Sequence, residues 1–286
     1  MANSEMPIGR LAPSELADAE ALVAASGWNQ VAADWRIFLA LGTVHAVRDG
    51  ARVIATAATL PYGDICAWIS MVLVAEAYRR RGLATRLLRQ CIDDILAGGR
   101  VPVLDATPAG RTVYRQLGFE DAWGFTRLTS GQRTGVLRGT DAAIDVRPID
   151  DAVWPALCAY DAAVFGVDRS TLLARMRGRL PAVNLYATRA GRILGLLLGR
   201  DGRTSAHLGP LIAEDDATAL ALLGRAVQSL DGNVYIDLAD AKYAVRGALE
   251  ACGFAPQRPF TRMLHGRATG FDDPSRTYAV IGPEFG

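Results

Sequence analysis

The chain has 286 residues, of which 50% are hydrophobic and 21% charged, with a formal net charge of +1. This length and composition suit two globular domains and exclude a disordered chain. The 31 Lys and Arg residues are balanced by 30 Asp and Glu residues, so the overall charge gives no support for a nucleic-acid or membrane partner.

The cysteine and hydropathy patterns predict a reduced, cytoplasmic protein. The four cysteines form no Cys-x-x-Cys pair and no Cys/His cluster with zinc spacing, so we expect no metal site. The first twenty residues lack the basic and apolar regions of a signal peptide. The longest apolar runs, such as 193–198, are far shorter than the ~20 residues that cross a bilayer.

The first half of the chain predicts alternating strands and helices, each defined by its apolar period and its turn residues. In chain order, these are a strand at 8–11, a helix at 14–24, a hairpin at 44–60, a strand at 68–74, a helix at 82–96 and a strand–helix unit at 101–119 that ends in Gly-Phe.

The second half repeats this order. Its elements are a strand at 144–148, a helix at 151–164, a hairpin at 185–200, a strand at 206–212, a helix at 217–230 and a strand–helix unit at 234–254 that again ends in Gly-Phe. The spacing from Gly118 to Gly253 is 135 residues, and that from Arg10 to Arg147 is 137. We therefore predict a duplication with domains at 1–135 and 141–286, a boundary within 131–143, and a last strand at 278–281. Two unrelated α/β domains are the alternative, since apolar strands and helices that end in glycine are common.

An anion site is predicted between the strand at 68–74 and the helix after it. The connecting loop carries Arg79-Arg80-Arg81, and the helix begins near Gly82. Because the start of a helix has unpaired N–H groups and a positive dipole end, it binds phosphate well. The glycine lets a diphosphate approach the backbone, and the arginines add charge and forked donors. A solvated basic loop is the alternative interpretation.

Other phosphate-binding motifs are absent from the sequence. No GxxxxGK[ST] motif is present, so a nucleoside triphosphatase is not indicated. No GxGxxG motif follows a strand, so a dinucleotide-binding fold is not indicated either.

The pattern Arg79-x-x-Gly82-x-Ala84 after a buried strand resembles the acyl-CoA signature of the GNAT N-acetyltransferase superfamily. The downstream helix with Tyr114, closing in Gly-Phe, resembles the next motif of that family. The resemblance implies an α/β (α+β) fold of two tandem GNAT-like domains, each a mixed, splayed sheet flanked by helices. It also implies acetyl-CoA as co-substrate.

The resemblance assigns roles to several residues. The backbone of Val72, Leu73 and Val74 would bind the pantetheine arm and thioester. A second set would cradle the pyrophosphate, namely Arg79, Arg80, Arg81, Gly82, Leu83, Ala84 and Thr85. Tyr114 would protonate the departing thiolate, or else simply pack. Thr107 stands where the family often has asparagine, and we interpret it as a helix N-cap before Pro108 and a candidate contact for the cofactor.

The second half lacks these features. Glu214, Asp215 and Asp216 stand at the start of the corresponding helix, where carboxylates repel a pyrophosphate. Leu249 occupies the position that matches Tyr114. We therefore predict a degenerate C-terminal copy without CoA turnover that supports the first half and helps to form the acceptor cleft.

Candidates for acceptor chemistry are weaker. Trp28 and Asn29 follow the first helix, where acceptor-binding loops lie in the family, and a hydrophobic staple at the helix end is an equal alternative for the tryptophan. Three carboxylates could act as general base, although a solvated surface role is the simpler interpretation: Asp34, Asp64 and Glu76. The three histidines show no metal spacing, and we expect the first two at the edge of the core: His45, His207 and His265.

The sequence thus predicts an N-acyltransferase that moves an acetyl group from acetyl-CoA to an amine acceptor in a ternary complex. The alternative is a non-catalytic acyl-CoA-binding or regulatory module with the same fold. The expected partner is a small-molecule or peptide amine, and the chain is expected to be a monomer or homodimer.

Overall fold

The structure is a computed structural model that describes residues 6–131, 135, 137, 139 and 141–286. The chain forms two compact units, Met1–Leu104 and Asp105–Gly286. Within the segment 131–143, where the boundary between the sequence repeats is predicted, residues 132–134, 136, 138 and 140 lie outside the described residues. The units and the sequence repeats therefore divide the chain at different places.

The N-terminal unit contains five strands and three α-helices within its described residues. They are β1 (Ile8–Arg10), α1 (Leu16–Ala25), α2 (Ala32–Leu41), β2 (Thr43–Asp49), β3 (Arg52–Tyr62), β4 (Cys66–Val74), α3 (Leu83–Ala97) and β5 (Val101–Ala106), whose last two residues belong to the other unit. The strand order is β1-β2-β3-β4-β5. Neighbours run antiparallel except β4 and β5, which are parallel.

Helix α3 shows how the sequence pattern produces this packing. Its buried residues recur at helical spacing: Leu83, Leu87, Leu88, Cys91, Ile92 and Ile95. The predicted helix at 82–96 is therefore present almost to the residue, because a strong 3.6-residue period is the clearest secondary-structure signal. The sequence pattern does not predict helix α2, since this helix comes after a short loop and is apolar on most of its surface.

The C-terminal unit contains the remaining strands and α-helices of the described chain. They are α4 (Pro108–Arg115), β6 (Phe119–Ser130), β7 (Asp145–Pro148), α5 (Trp154–Phe165), α6 (Ser170–Met176), β8 (Leu185–Arg189), β9 (Arg192–Arg200), β10 (Ala206–Ala213), α7 (Asp216–Gln228), β11 (Val234–Ala239), α8 (Tyr243–Ala251), β12 (Phe254–His265) and β13 (Thr277–Ala279). Their strand order is β12-β6-β11-β13-β10-β9-β8-β7, and β10 and β11 run parallel.

Strand β6 explains why the units do not coincide with the repeats. It belongs to the first sequence repeat, yet it pairs antiparallel with β11 and β12 of the second. The last strand of the first repeat is thus an internal strand of the C-terminal unit. Residues 141–286 by themselves would lack it.

The expected mixed sheets flanked by helices are confirmed in both units. The C-terminal unit buries an aliphatic cluster between its sheet and helices, to which α7 contributes Leu222 and Leu223. The predicted last strand is present as β13, slightly earlier than expected. No helix in the described part of the chain combines the length and apolar character that a bilayer crossing requires.

Gly42 provides a test of the packing between β2 and β3. A Cβ atom at this position would lie 2.0 Å from the carbonyl oxygen of Thr59. We expect Gly42→Ala to lower the free energy of unfolding by about 1–3 kcal/mol, because backbone must move to accept the methyl group. Urea unfolding measures this change.

The matched control is Gly247→Ala. Gly247 is exposed within α8, and a Cβ there would meet no atom within 4 Å. This substitution should raise stability by about 0.5–1 kcal/mol, since alanine loses less conformational entropy in a helix. Equal effects of the two variants would contradict the close contact at Gly42.

Candidate functional site

The loop before α3 is an exposed, positively charged helix start. A 3-10 turn at Glu76–Tyr78 leads from β4 to Arg79, whose Nε donates to the carbonyl of Val74 over 3.2 Å. Arg81 donates to the carbonyl of Ala77 over 2.8 Å. Arg79, Arg80 and Arg81 are all exposed, so their charge faces solvent.

Gly82 makes this helix start fit a phosphate. It is the N-cap residue of α3, with φ +79°, and no side chain caps the helix. A Cβ at Gly82 would meet no atom within 4 Å, so space lies open beside it. The first-turn N–H groups of Leu83, Ala84 and Thr85 therefore lack a side-chain acceptor, which is the arrangement that binds a diphosphate.

Strand β4 carries a β-bulge close to its end. Ala58 pairs with Ser70 and Thr56 with Leu73, so Ala57 alone lies opposite two residues of β4. Met71 has φ +52°, and the hydroxyl of Thr56 donates to its carbonyl over 2.9 Å. Bulges re-aim the backbone and occur often beside active sites.

On its other edge, β4 pairs with β5 only over a short ladder, and the sheet splays beyond it. Strands β4 and β5 pair over Cys66–Trp68 and Val101–Val103, and their ladder ends there. Val72, Leu73 and Val74, the predicted contacts for the pantetheine arm, begin within the bulge and lie beyond this point. Within residues 6–104, no strand pairs with that edge of β4 past Trp68, which leaves main-chain groups for an extended ligand.

Tyr114 lies near the end of α4, in the C-terminal unit. Thr107 caps this helix by accepting from Gly110 N–H over 3.3 Å, and Pro108 is its first residue, as predicted. The ring of Tyr114 lies over Gly110 and near Phe119, with 6.2 Å between the two ring centroids. Burial raises the pKa of Tyr114, so its phenol stays protonated. Its hydroxyl makes no hydrogen bond within the described residues, which leaves a donor available for a ligand.

Two arginines fix α4 against the start of β6. Arg111 donates from Nε to Asp121 over 2.9 Å, and Arg115 bonds the same carboxylate. The hydrogen bond from Arg111 is the main cause that lowers the pKa of Asp121 to about 2, although burial opposes it. The sequence does not predict these contacts, because Asp121 carries no local signal.

The residues predicted for acceptor binding complete the end of α1. Gly27 has φ +68°, and the N–H of Trp28 donates to the carbonyl of Val23 over 3.1 Å, which is a Schellman-type helix end. Trp28 is half-buried and Asn29 is buried. The structure thus gives both residues a place in the loop between α1 and α2.

The sequence does not predict three further polar groups of the N-terminal unit. Three buried side chains have a polar atom without a hydrogen-bond partner among the described residues: Gln30 Oε1, Trp35 Nε1 and Ser70 Oγ. Gln30 comes directly after Asn29, and Ser70 precedes the bulge in β4. Unsatisfied buried polar atoms are uncommon and often belong to ligand sites, but single residues of these types carry no recognisable sequence signal.

The three candidate bases have different surroundings. Asp34 is fully buried, and its Oδ2 accepts from Val31 N–H over 2.9 Å at the start of α2. The expectation that Asp34 is a solvated surface carboxylate is therefore wrong. Asp64 is 99% exposed and pairs with Arg100 over 2.9 Å, and Glu76 is also exposed.

Each of the three histidines contacts another side chain of the protein. His45 lies at the core edge, as expected, with Nε2 2.9 Å from Asp94. His207 is fully buried, with Nε2 3.1 Å from Asp237, so its expected place at the core edge is wrong. His265 lies edge-on to Phe119 at 5.4 Å. No group of residues suited to a metal ion occurs in the described part of the chain.

In the second repeat, residues of the protein itself occupy the helix start that corresponds to the predicted phosphate site. Asp215 caps α7 by accepting from Thr218 N–H over 2.8 Å. Burial acts to raise the pKa of Asp215, but hydrogen bonds from Thr218 outweigh it and hold that pKa below its ordinary value. The helix start that would receive a phosphate is thus occupied by a carboxylate.

Strand β13 occupies the splay between β10 and β11. These parallel strands pair over Ala206–Leu208 and Val234–Ile236, and beyond that Ala279 pairs with Leu211 on one side and Leu238 on the other. The hydroxyl of Tyr278 lies 2.6 Å from Asp216 at the start of α7. The main-chain groups that a pantetheine arm would use are therefore already bonded.

Family comparisons agree with this geometry. A model described as Acetyltransferase (GNAT) family matches residues 17–119, and one described as Acetyltransferase (GNAT) domain matches residues 157–279. The chain belongs to the GNAT acetyltransferases. Its two GNAT domains succeed one another along the chain, as the sequence repeat predicts.

Individual relatives are distant. The chain is 25% identical over 186 residues to YitH of Bacillus subtilis, named an uncharacterized N-acetyltransferase, and the match covers 65% of each chain. A Pyrococcus horikoshii protein named as an acetyltransferase has a similar structure, with TM-score 0.78, 18% identity and coverage of 100% of this GNAT chain and 98% of its own. A tandem GNAT protein from the clavulanic acid biosynthesis pathway has TM-score 0.67, 14% identity and coverage of 90% and 97%. At these identities the two structures show a shared fold.

The pKa of Asp121 predicts a pH-dependent stability. Because this pKa is about 2 in the folded state and about 3.9 in an unfolded chain, the contacts to Arg111 and Arg115 stabilise the fold above about pH 4. That contribution is lost as the pH falls from about 4 towards 2. Asp121→Asn should therefore be less stable than the wild-type protein near neutral pH, and the difference should shrink below about pH 4.

Urea unfolding at a series of pH values measures this difference. Asp64→Asn is the control, since the side chain of Asp64 is 99% exposed and its ion pair should contribute little. A stability difference for Asp121→Asn that stays constant down to about pH 2 would show that the charge of Asp121 is not its source.

Proposed function

We propose that this GNAT protein transfers the acetyl group of acetyl-CoA to the nitrogen of an amine acceptor, a small molecule or a peptide. The observation that carries the proposal is the contrast between the repeats. In the first, Gly82 opens the uncapped start of α3, and β4 has a bulge and an unpaired edge. In the second, Asp215 and β13 fill the matching positions. This contrast supports a single active site, built on the first repeat.

Binding would rest on two kinds of group in the N-terminal unit. The first-turn N–H groups of α3 and the exposed arginines, Arg79–Arg81, would hold the pyrophosphate. Main-chain groups of Val72–Val74 would pair with the pantetheine arm as a neighbouring strand does. The bulge at Met71 would aim a main-chain N–H at the thioester oxygen, which polarises the carbonyl.

The reaction forms a bond between the acceptor nitrogen and the acetyl carbon and breaks the bond from that carbon to sulfur. Tyr114 would donate its phenolic hydrogen to the sulfur as it leaves, while the attacking nitrogen loses a proton to water or a base. A phenol with the ordinary pKa of about 10 carries its proton at neutral pH, and burial raises the pKa of Tyr114 further, so the group is a hydrogen-bond donor when the sulfur leaves. Holding both substrates together supplies a large part of the acceleration.

Tyr114→Phe tests the chemistry. We expect kcat to fall by about 10²–10⁴-fold, the usual contribution of a positioned acid, with the KM for acetyl-CoA changed little. Release of thiol from acetyl-CoA with a panel of amines measures both constants. Tyr243→Phe is the control, because Tyr243 is 78% exposed on α8 of the second repeat.

The outcomes separate the enzyme from the non-catalytic module. Turnover by the wild-type protein that depends on Tyr114 supports the enzyme. Binding of acetyl-CoA without turnover of any amine would support the non-catalytic module instead.

Arg80→Glu tests the phosphate cradle. Arg80 is exposed, so reversing its charge should leave the fold intact. We expect CoA to bind at one site per full-length chain and at least about 10-fold more weakly to the variant, since a charge-assisted contact contributes about 1.5–3 kcal/mol.

Isothermal titration calorimetry measures the affinity and the stoichiometry. Arg225→Glu is the control, because Arg225 is exposed on α7 of the second repeat. Two CoA molecules per chain, or equal weakening by both substitutions, would contradict the assignment of the cradle to the first repeat.

A further inference from the structure

Strands β6 and β12 contain the same three-residue segment and pair with each other at its phenylalanines. Phe125-Thr126-Arg127 in β6 recurs as Phe260-Thr261-Arg262 in β12, 135 residues later. Phe125 pairs with Phe260 in the ladder, and their rings stack at 5.1 Å with 15° between their planes. Each arginine, Arg127 or Arg262, follows the phenylalanine of its own strand by two residues, so the two occupy equivalent positions.

Each arginine binds an aspartate of the opposite repeat. Arg127 contacts Asp237 of β11 through two hydrogen bonds of 2.8 and 2.7 Å. Arg262 contacts Asp105 of β5 through two hydrogen bonds of 3.0 and 3.1 Å. All four side chains are at most 5% exposed. Buried bidentate pairs of this kind fix direction as well as distance.

The two aspartates lead into helices of different character. Two residues after Asp105, Thr107 caps α4, the helix that carries Tyr114. After Asp237, the chain leads to α8, where Leu249 takes the matching place. Equivalent ion pairs therefore hold the strand ends that lead into these two helices. In the first repeat the helix is α4, which carries Tyr114, and in the second it is α8, which has Leu249 instead.

Arg262 is itself held firmly. Its guanidinium lies over the ring of Trp123 at 4.4 Å, and its Nη1 is 3.4 Å from Asp272. The side chain is 2% exposed. Because its neighbours limit its movement, Arg262 can transmit a fixed position to Asp105 and to the start of α4.

We propose that Arg262 is a positioning residue for Tyr114, so that the second repeat contributes to catalysis by holding the end of β5 from which α4 begins. This inference rests on the proposed function, in which Tyr114 is the general acid. The second repeat would then have a role in the reaction, although Asp215 and β13 occupy the positions where it could itself bind a cofactor.

The test compares Arg262→Met with Arg127→Met in the full-length protein. Each substitution removes one buried bidentate arginine, so both should lower the unfolding midpoint to a similar extent. Arg262→Met should reduce kcat by at least about 10-fold and change the KM for acetyl-CoA by less than about 3-fold, because the acid and not the cradle is displaced. Arg127→Met should retain kcat within about 2-fold. Equal falls in kcat for the two variants would overturn the proposal.

A double variant shows whether the effect passes through Tyr114. In a Tyr114→Phe background, Arg262→Met should change kcat by less than about 2-fold, since the hydroxyl that it positions is already absent. A further fall of about 10-fold in that background would overturn the proposal, because Arg262 would then act on stability or binding instead. If Arg262→Met fails to fold, Asp105→Asn replaces it, with an expected fall of at least about 5-fold that also disappears in the Tyr114→Phe background.

Amide hydrogen exchange provides a measurement that does not depend on turnover. Arg262→Met should accelerate exchange in Pro108–Arg115 at least about 10-fold and leave Tyr243–Ala251 unchanged, and Arg127→Met should show the reverse. Unchanged exchange in α4 overturns the positioning role. Wild-type protein without turnover would overturn the proposed function, and the exchange pattern would still decide whether Arg262 holds α4.

Discussion

The structure depends on two parallel strands that pair for three residues and then separate. Main-chain N–H and C=O groups exposed by such a splay need partners, because a buried polar group without one costs free energy. The second repeat supplies partners from the same chain, since β13 bonds to both β10 and β11. In the first repeat, β4 and β5 part after Trp68 and Val103. One backbone arrangement thus yields a closed structural element in one repeat and a candidate ligand site in the other.

The charges at the starts of α3 and α7 differ between the two repeats in the same way. A carboxylate caps α7, which suits the positive end of its dipole in the absence of a ligand. At α3, by contrast, Gly82 leaves the N–H groups uncapped and three arginines stand in front of them. This arrangement leaves like charges close together and lacks a cap, so it is less stable by itself than that of α7. Such a local cost is typical of a site that is completed by an anion.

Much of the architecture could be predicted from the sequence. The hairpins, α3 and α7 are predictable because their apolar periods are strong and their turns contain glycine. The cap at Thr107 and the basic helix start are matters of local chemistry, and the GNAT fold is indicated by the order of two motifs. Helix α2 is missed because its apolar surface is nearly continuous. The repeated Phe-Thr-Arg segments are a visible signal for the crossed ion pairs, but the signal gains meaning only when their partners are known.

The sequence by itself determined most of the segments that form helices and strands, which helix start is basic, and which repeat lacks the arginines and the tyrosine. Those properties depend on residues that are neighbours along the chain, where period, turn chemistry and charge act directly. Only the tertiary structure decided that β6 pairs with the second repeat, that β13 closes a splay, and that Arg262 binds Asp105. Those contacts join residues far apart in sequence, and strand pairing and buried charge pairs depend on which partners the whole chain brings together.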